Sequence, residues 1–238
     1  MNARRLFGAA TLVALAVAGC GEGAVVDAGG GDVAASVANG PVSLVDVAAS
    51  CARPTAAGPG IAIVTTELRD ANRTVSLPDC VVHLEQGADV TLNNVTITGG
   101  ILNIHDRATD ASSNRLRLQR VSVDNDALLV ELNDADDTFD AEATSIRTRR
   151  GIGVRVAGTR DGANEGGTIS MVTSSLLATD ADATVHVLAS EHSGVVRLVD
   201  TSIDTRGPLT VLAGTCTARL RGRTLACSTE AVAEELAG

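Results

Sequence analysis

Gly87-Ala88-Asp89-Val90-Thr91-Leu92-Asn93-Asn94-Val95-Thr96-Ile97, followed by Gly100-Ile101-Leu102, is the stretch that decides how this chain folds. Val90 and Leu92 alternate with polar residues, the period of a strand with one buried face. A Thr and an apolar residue follow, and a second alternating run begins at Leu102 and Ile104. The same pattern returns as Leu116, Leu118, Ser122, Val123; as Phe139, Ala141, Ser145, Ile146; and as Ile169, Met171, Ser175, Leu176. It continues as Val196, Leu198, Ser202, Ile203 and as Ala218, Leu220, Thr224, Leu225. Val75, Leu77, Val82 and Leu84 suggest one more unit ahead of these six. Measured at the apolar residue after each Ser or Thr, the units are 26, 23, 30, 27 and 22 residues long. A recurrence of this kind means one short supersecondary unit stacked on copies of itself.

Further alternating runs close most units: Leu102 and Ile104, Leu128 and Val130, Val154 and Val156, Val185 and Val187, Leu209 and Val211. Three short strands in 22 to 30 residues are too few residues for a propeller blade and lack the Leu and Asn frame of leucine-rich repeats. The expectation is an all-β solenoid of parallel strands with about six to seven coils and small terminal caps. Segments such as Gly87–Ile97 with Gly100–Leu102 resemble coils of the right-handed parallel β-helix, the pectate-lyase-like superfamily. That resemblance covers residues 60–227 and implies a fold more than a function.

The first twenty residues read as an address. Arg4 and Arg5 precede an apolar run from Leu6 to Val17, too short to span and remain in a bilayer. Val17-Ala18-Gly19-Cys20 resembles the lipobox of bacterial lipoprotein signal peptides, which implies cleavage before Cys20 and lipidation of that residue. The expected organisation is a signal peptide over 1–20, a Gly- and Ala-rich flexible tether over 21–40, and an N-terminal cap region over 41–59. The solenoid follows over 60–227, and a short cap helix over 228–238, where Ala231, Val232 and Leu236 stand opposite Glu230, Glu234 and Glu235. Residues 41–52 suit either a short helix or a first strand. The location expected is outside the cytoplasm, lipid-anchored to a bacterial membrane.

Export leaves Cys51, Cys80, Cys216 and Cys227 in an oxidising compartment, where an even number favours disulfides over a metal. Of three connectivities, Cys51 with Cys80 and Cys216 with Cys227 is preferred, because each pair brackets about one unit and staples one end. No Cys-x-x-Cys exists, so no metal site is expected at the cysteines.

Composition removes several function classes. Cleavage before Cys20 leaves 17 Arg against 29 acidic residues, and such a surface repels nucleic acid. There is no Trp, no Tyr and no Lys, and Phe139 is the one Phe beyond the leader. The aromatic platforms that grip sugars or single strands are thus absent, as is Lys nucleophile chemistry.

Stacking turns equivalent residues into columns. The Thr96, Ser122, Ser145, Ser175, Ser202, Thr224 column is regular, but the column two residues on is Thr98, Asp124, Arg147, Leu177, Asp204, Ala226. That second column is too irregular for an ice-binding face. It pairs Asp124 with Arg147 and, two residues further, Asp126 with Arg149. Resemblance to the pectate-lyase-like enzymes, whose acidic calcium ligands lie beside a proton-abstracting Arg, makes these four the catalytic candidates of a polysaccharide lyase or hydrolase. A surface ion-pair ladder explains them as well, and the Gly-Asp-Asp and Asn-Thr-Asp strings of polygalacturonase-like members do not occur.

Acidic runs at expected turns (Asp134, Asp136, Asp137 and Asp140; Asp161, Asn164 and Glu165; Asp180 and Asp182) make calcium the one cofactor to consider. None has EF-hand spacing, and solvated turns are the simpler reading. The insertion over 158–167 is the longest loop expected. His83, His105 and His186 fall on outward positions of third strands, the first two in adjacent coils, and His192 on a turn. Nothing in the sequence completes a metal site or a catalytic triad around them. The function expected is a non-catalytic surface or envelope protein, with a rigid face for a glycan or a surface protein.

Overall fold

The computed structural model describes residues 43–52, 58–106, 112–156, 166–190, 193–220 and 223–225, with backbone alone for 218–220 and 223–225. One helix, α1 (Leu44–Cys51), precedes fifteen strands. These are β1 (Gly60–Val64), β2 (Glu67–Leu77), β3 (Cys80–Leu84), β4 (Asp89–Asp106), β5 (Arg115–Gln119), β6 (Ser122–Leu132) and β7 (Thr138–Glu142). They continue as β8 (Ser145–Val156), β9 (Thr168–Val172), β10 (Ser175–Ala178), β11 (Thr184–Ala189), β12 (Val195–Thr205), β13 (Leu209–Leu212), β14 (Thr215–Leu220) and β15 (Arg223–Leu225). Strand pairs from β1 to β14 are parallel, and the chain forms a β-solenoid of about six turns.

Each turn contributes to three walls, and long strands such as β4 run through all three. The register fixes columns inside the solenoid. On the first wall, Leu68, Val90, Leu116, Phe139, Ile169 and Val196 lie one over another. On the second, Val75, Ile97, Val123, Ile146, Leu176 and Ile203 do the same. Period-two alternation places these side chains inward, and almost all are under a tenth exposed. This column of apolar side chains, repeated on each wall, is the core.

A bend joins the first wall to the second. One residue per turn there has left-handed φ: Asn72, Asn94, Arg120, Ala143, Thr173 and Asp200, with φ between 48° and 55°. The next residue is buried in five of these bends, as Val95, Val121, Thr144, Ser174 and Thr201, while Arg73 at the first bend is exposed. Where it carries a hydroxyl, that hydroxyl donates to carbonyls at the bend. Thr144 Oγ1 reaches Leu118 O at 3.2 Å, Ser174 Oγ reaches Val172 O at 3.0 Å, and Thr201 Oγ1 reaches Met171 O at 3.1 Å. These buried hydroxyls, not the outward Ser/Thr column, satisfy the bend. Thr173 is exposed and β-branched, a poor residue for left-handed φ, whereas Asn tolerates it. Thr173→Asn is therefore expected to raise stability by about 0.5 to 1 kcal/mol, read as an upward shift of the denaturation midpoint.

Residues 44–51 form a helix rather than a strand because Ser43 and Asp46 make a capping box: Ser43 Oγ accepts from Asp46 N, and Asp46 accepts from Ser43 N at 3.1 Å. Hydrogen bonds from the Ser43 side chain and backbone hold the Asp46 carboxyl below its usual value. Leu44, Val47 and Cys51 of α1 join the buried core, and Asp70, at an inward position, accepts from Leu44 N at 2.8 Å. The helix thus covers the first turn. Cys51 and Cys80 form the expected disulfide, with Cα atoms 5.3 Å apart. Cys216 is also disulfide-bonded, while Cys227 lies outside the described residues. So do Cys20, the signal peptide over 1–20, the tether over 21–40, residues 157–165 of the insertion, His192 and the helix expected over 228–238.

The far end corrects one expectation. Thr224 does not extend the column over Ser202, because β15 turns back and pairs antiparallel with β14, setting Arg219 opposite Thr224. An antiparallel return covers the outer edge of β14, which another coil would otherwise have to cover.

Candidate functional site

Two acidic constellations stand out, one on the second wall and one inside the turn between the third and first walls. On the second wall the columns have the expected register. Thr98, Asp124 and Arg147 follow one another, then Leu177 and Asp204. Asp124 and Arg147 are both exposed, and no ion pair joins them among the described residues. The ladder is irregular between Asn125 and Ala127, and Asp126, at that irregularity, contacts Arg149. Arg149 Nη2 and Nε lie 2.6 and 2.8 Å from the same oxygen, Asp126 Oδ1. The Arg149 side chain is 63% exposed, so the pair contributes no more than about 1 kcal/mol. An arginine whose Nε and Nη2 both point at one carboxylate is poorly placed to take a proton from a substrate. A polar depression on the same molecule, lined by Gln119, Arg120, Glu142 and Ala143, shares no residue with these pairs.

The second constellation is deeper. β4 ends at Asp106, which stands one coil above Leu84 and is 2% exposed. An acidic residue thus occupies a place that apolar residues hold in other coils. The turn over 133–137 brings Asp134 and Asp137 to it, and carboxylate oxygens of Asp106, Asp134 and Asp137 lie within 4.8 Å of one another. Asp137, expected as a solvated turn residue, is fully buried. Its Oδ1 accepts from Asn114 N at 2.6 Å, and its Oδ2 from Asp134 N at 2.9 Å. Asn114 repeats the device one coil earlier, its Oδ1 accepting from Ala88 N at 2.8 Å. Asp134 Oδ2 is closed off from solvent with no hydrogen-bond partner. Of the remaining acidic run, Asp140 lies in β7 rather than in the turn, and Asp180 and Asp182 are turn residues as expected.

Burial pushes the Asp137 carboxyl up to about 6, against backbone hydrogen bonds that pull it down. Between the ordinary value of 3.8 and about 6, the folded state therefore holds a proton that the unfolded state has lost. Stability from this residue is present below about pH 4 and is lost as pH rises through about 6. With chelator present, the Asp137 contribution is expected to fall over that window, and Asp137→Asn is expected to flatten it in denaturation at a series of pH values.

His83 and His105 are register partners on the third wall, with ring centroids 4.3 Å apart and planes at 66°. His186 lies between Gly153 and Thr210 on a neighbouring column, and burial lowers its basicity. Sequence reasoning found the two second-wall pairs from spacing alone. It missed Asp106, although an Asp at an inward position of a strand was the available signal. Compared with known proteins, the chain matches no family model, no curated protein and no solved structure.

Proposed function

We propose that this protein is a non-catalytic envelope lipoprotein, anchored through Cys20, whose solenoid presents a rigid face for a glycan or a surface protein. The proposal includes the right-handed winding and the kinship with pectate-lyase-like β-helices that the repeat pattern suggests. The observation that carries the non-catalytic reading is the second wall itself. Its one closed Asp–Arg contact among the described residues, Asp126 with Arg149, is an exposed ion pair, and the neighbouring Asp124 and Arg147 stand apart from the polar depression. A panel of uronate and neutral glycans, with and without calcium, is expected to give no turnover. Turnover that disappears in Arg147→Ala would replace this reading with a polysaccharide lyase or hydrolase acting through Asp124, Asp126, Arg147 and Arg149. Anchoring has its own test: fatty-acid labelling and membrane retention are expected to vanish in Cys20→Ser.

A second reading concerns calcium, as a structural ion that stiffens the scaffold. It is favoured by the buried, partnerless Asp134 Oδ2 beside Asp106 and Asp137. Three carboxylates supply oxygen ligands of the kind that a hard cation takes. A melting temperature that rises with calcium and loses the rise in Asp137→Asn supports it, and one unmoved by calcium or chelator discards it.

A further inference from the structure

We infer that the outer face of the third wall is an interface between two copies of this chain, packed sheet against sheet. The wall runs in register through β1, β3, the last parts of β4, β6 and β8, and then β11 and β13. Two columns of outward positions on it hold Ile61, Ile63, Val81, Leu129, Leu188 and Leu212. Ile61 is 42% exposed and the others are partly exposed. The other two walls differ. On the first, Arg69, Arg117, Asp140 and Arg197 share one outward column. On the second, Asp124, Arg147 and Asp204 share another. A sheet that keeps Ile and Leu at outward positions along its whole height has the surface of an association face.

Three observations make the occupant a second copy. The first is charge. The chain carries a formal charge of −10, so like copies repel one another over most of their surface. Histidines aside, Glu131 and Arg155 are the only charged residues of these two columns among the described residues. They are register partners, with Arg155 Nη1 3.1 Å from Glu131 Oε1. This face is therefore neutral, and a second copy can approach it. The second is size. At about 4.8 Å per strand and 3.3 Å per residue, these strands give a face about 29 Å tall and 17 Å wide. Two copies would cover about 1,000 Å² in all, where specific interfaces begin. The third is layout. Apolar residues run from β1 to β13, with Leu129 on the middle strand, β6. Leu129 leans over Gly153, where an added Cβ would come within 2.8 Å of its Cδ1, so the glycine keeps the centre of the face low. One patch with an apolar centre can serve both copies at once, as a two-fold contact requires, and facing sheets pack about 10 Å apart. The contact goes beyond the proposed role, since it needs neither the anchor nor the second wall.

The test uses the full chain with Cys20→Ser, so that no acyl chain can drive association, in sedimentation velocity over a dilution series. A reversible dimer is expected, seen as a sedimentation coefficient that falls on dilution. Leu129→Arg and Leu188→Arg, which set an unpaired charge in the contact, are each expected to weaken the dimer about ten-fold or more. Leu177→Arg makes the same change on the second wall and is expected to leave the dimer unaltered. Circular dichroism is expected to show the solenoid intact in all three variants. A chain that stays monomeric throughout the series would overturn the proposal and mean that this face is covered by a segment of its own chain or by a different partner. Association that persists in both third-wall variants would overturn it too, by moving the contact to another surface or to the leader. So would an equal loss in Leu177→Arg.

Discussion

Phe139→Ala is expected to destabilise the protein by about 3 to 5 kcal/mol, in the range of large-to-small changes in a closed core. Phe139 is fully buried and lies in a first-wall column with Leu116 below and Ile169 above. The strand carrying it, β7, is hydrogen-bonded on both sides, to β5 and β9, so the walls cannot close over the lost volume. Neighbouring coils are held at a fixed spacing by their ladders, and the cavity would persist. Far-UV circular dichroism during denaturant titration measures the change. Intrinsic fluorescence offers no substitute, since the chain has no Trp or Tyr. A loss under about 1 kcal/mol would mean that the solenoid interior relaxes far more than close-packed interiors do.

Replacing Cys51 and Cys80 by Ser is expected to cost about 3.5 kcal/mol, the loop-closure entropy that a cross-link over 29 residues removes from the unfolded chain. The effect differs in kind from that of Phe139. In a repeat array each coil is supported by its neighbours alone, so a loss at the end frays the end first. Hydrogen exchange in the double variant is expected to quicken over α1, β1 and β3 and to change little over β8 to β11. Uniform loss of protection would mean that the solenoid unfolds as one unit. Gly60 shows how closely the cap is seated, because a Cβ there would run into the Cys51 carbonyl.

The solenoid was legible because its code is simple. Alternation at period two, repeated every 22 to 30 residues, allows only the reading in which Val90, Leu116 and Phe139 share a column. The register of Asp124 with Arg147 was likewise readable, since stacking converts a spacing into a neighbour, and Asp126 meets Arg149 as that spacing suggests although the ladder is irregular there. The bend was not. Left-handed φ at Arg120, Ala143 and Thr173 is imposed by the coil against the preference of those residues, so propensity gives no hint of it. The burial of Asp137 was hidden for a related reason. A turn rich in Asp reads as solvated, and only the third dimension sets its carboxylate against Asn114 of the coil before. At the end, Thr224 has the composition of a further coil, but β15 pairs back on β14 instead of extending the stack.

Successive turns stack in register, and spin-label distances test that stacking most directly. Thr74, Thr96, Ser122, Ser145, Ser175 and Ser202 form one column on the outer face of the second wall. With Cys20 replaced by Ser, labels at Thr74→Cys paired in turn with Ser145→Cys, Ser175→Cys and Ser202→Cys should give distances that lengthen by about 4.8 Å per coil, to about 24 Å between backbone positions for the last pair. Distances that fail to grow in that order would contradict the stack, and with it each column on which the functional readings rest.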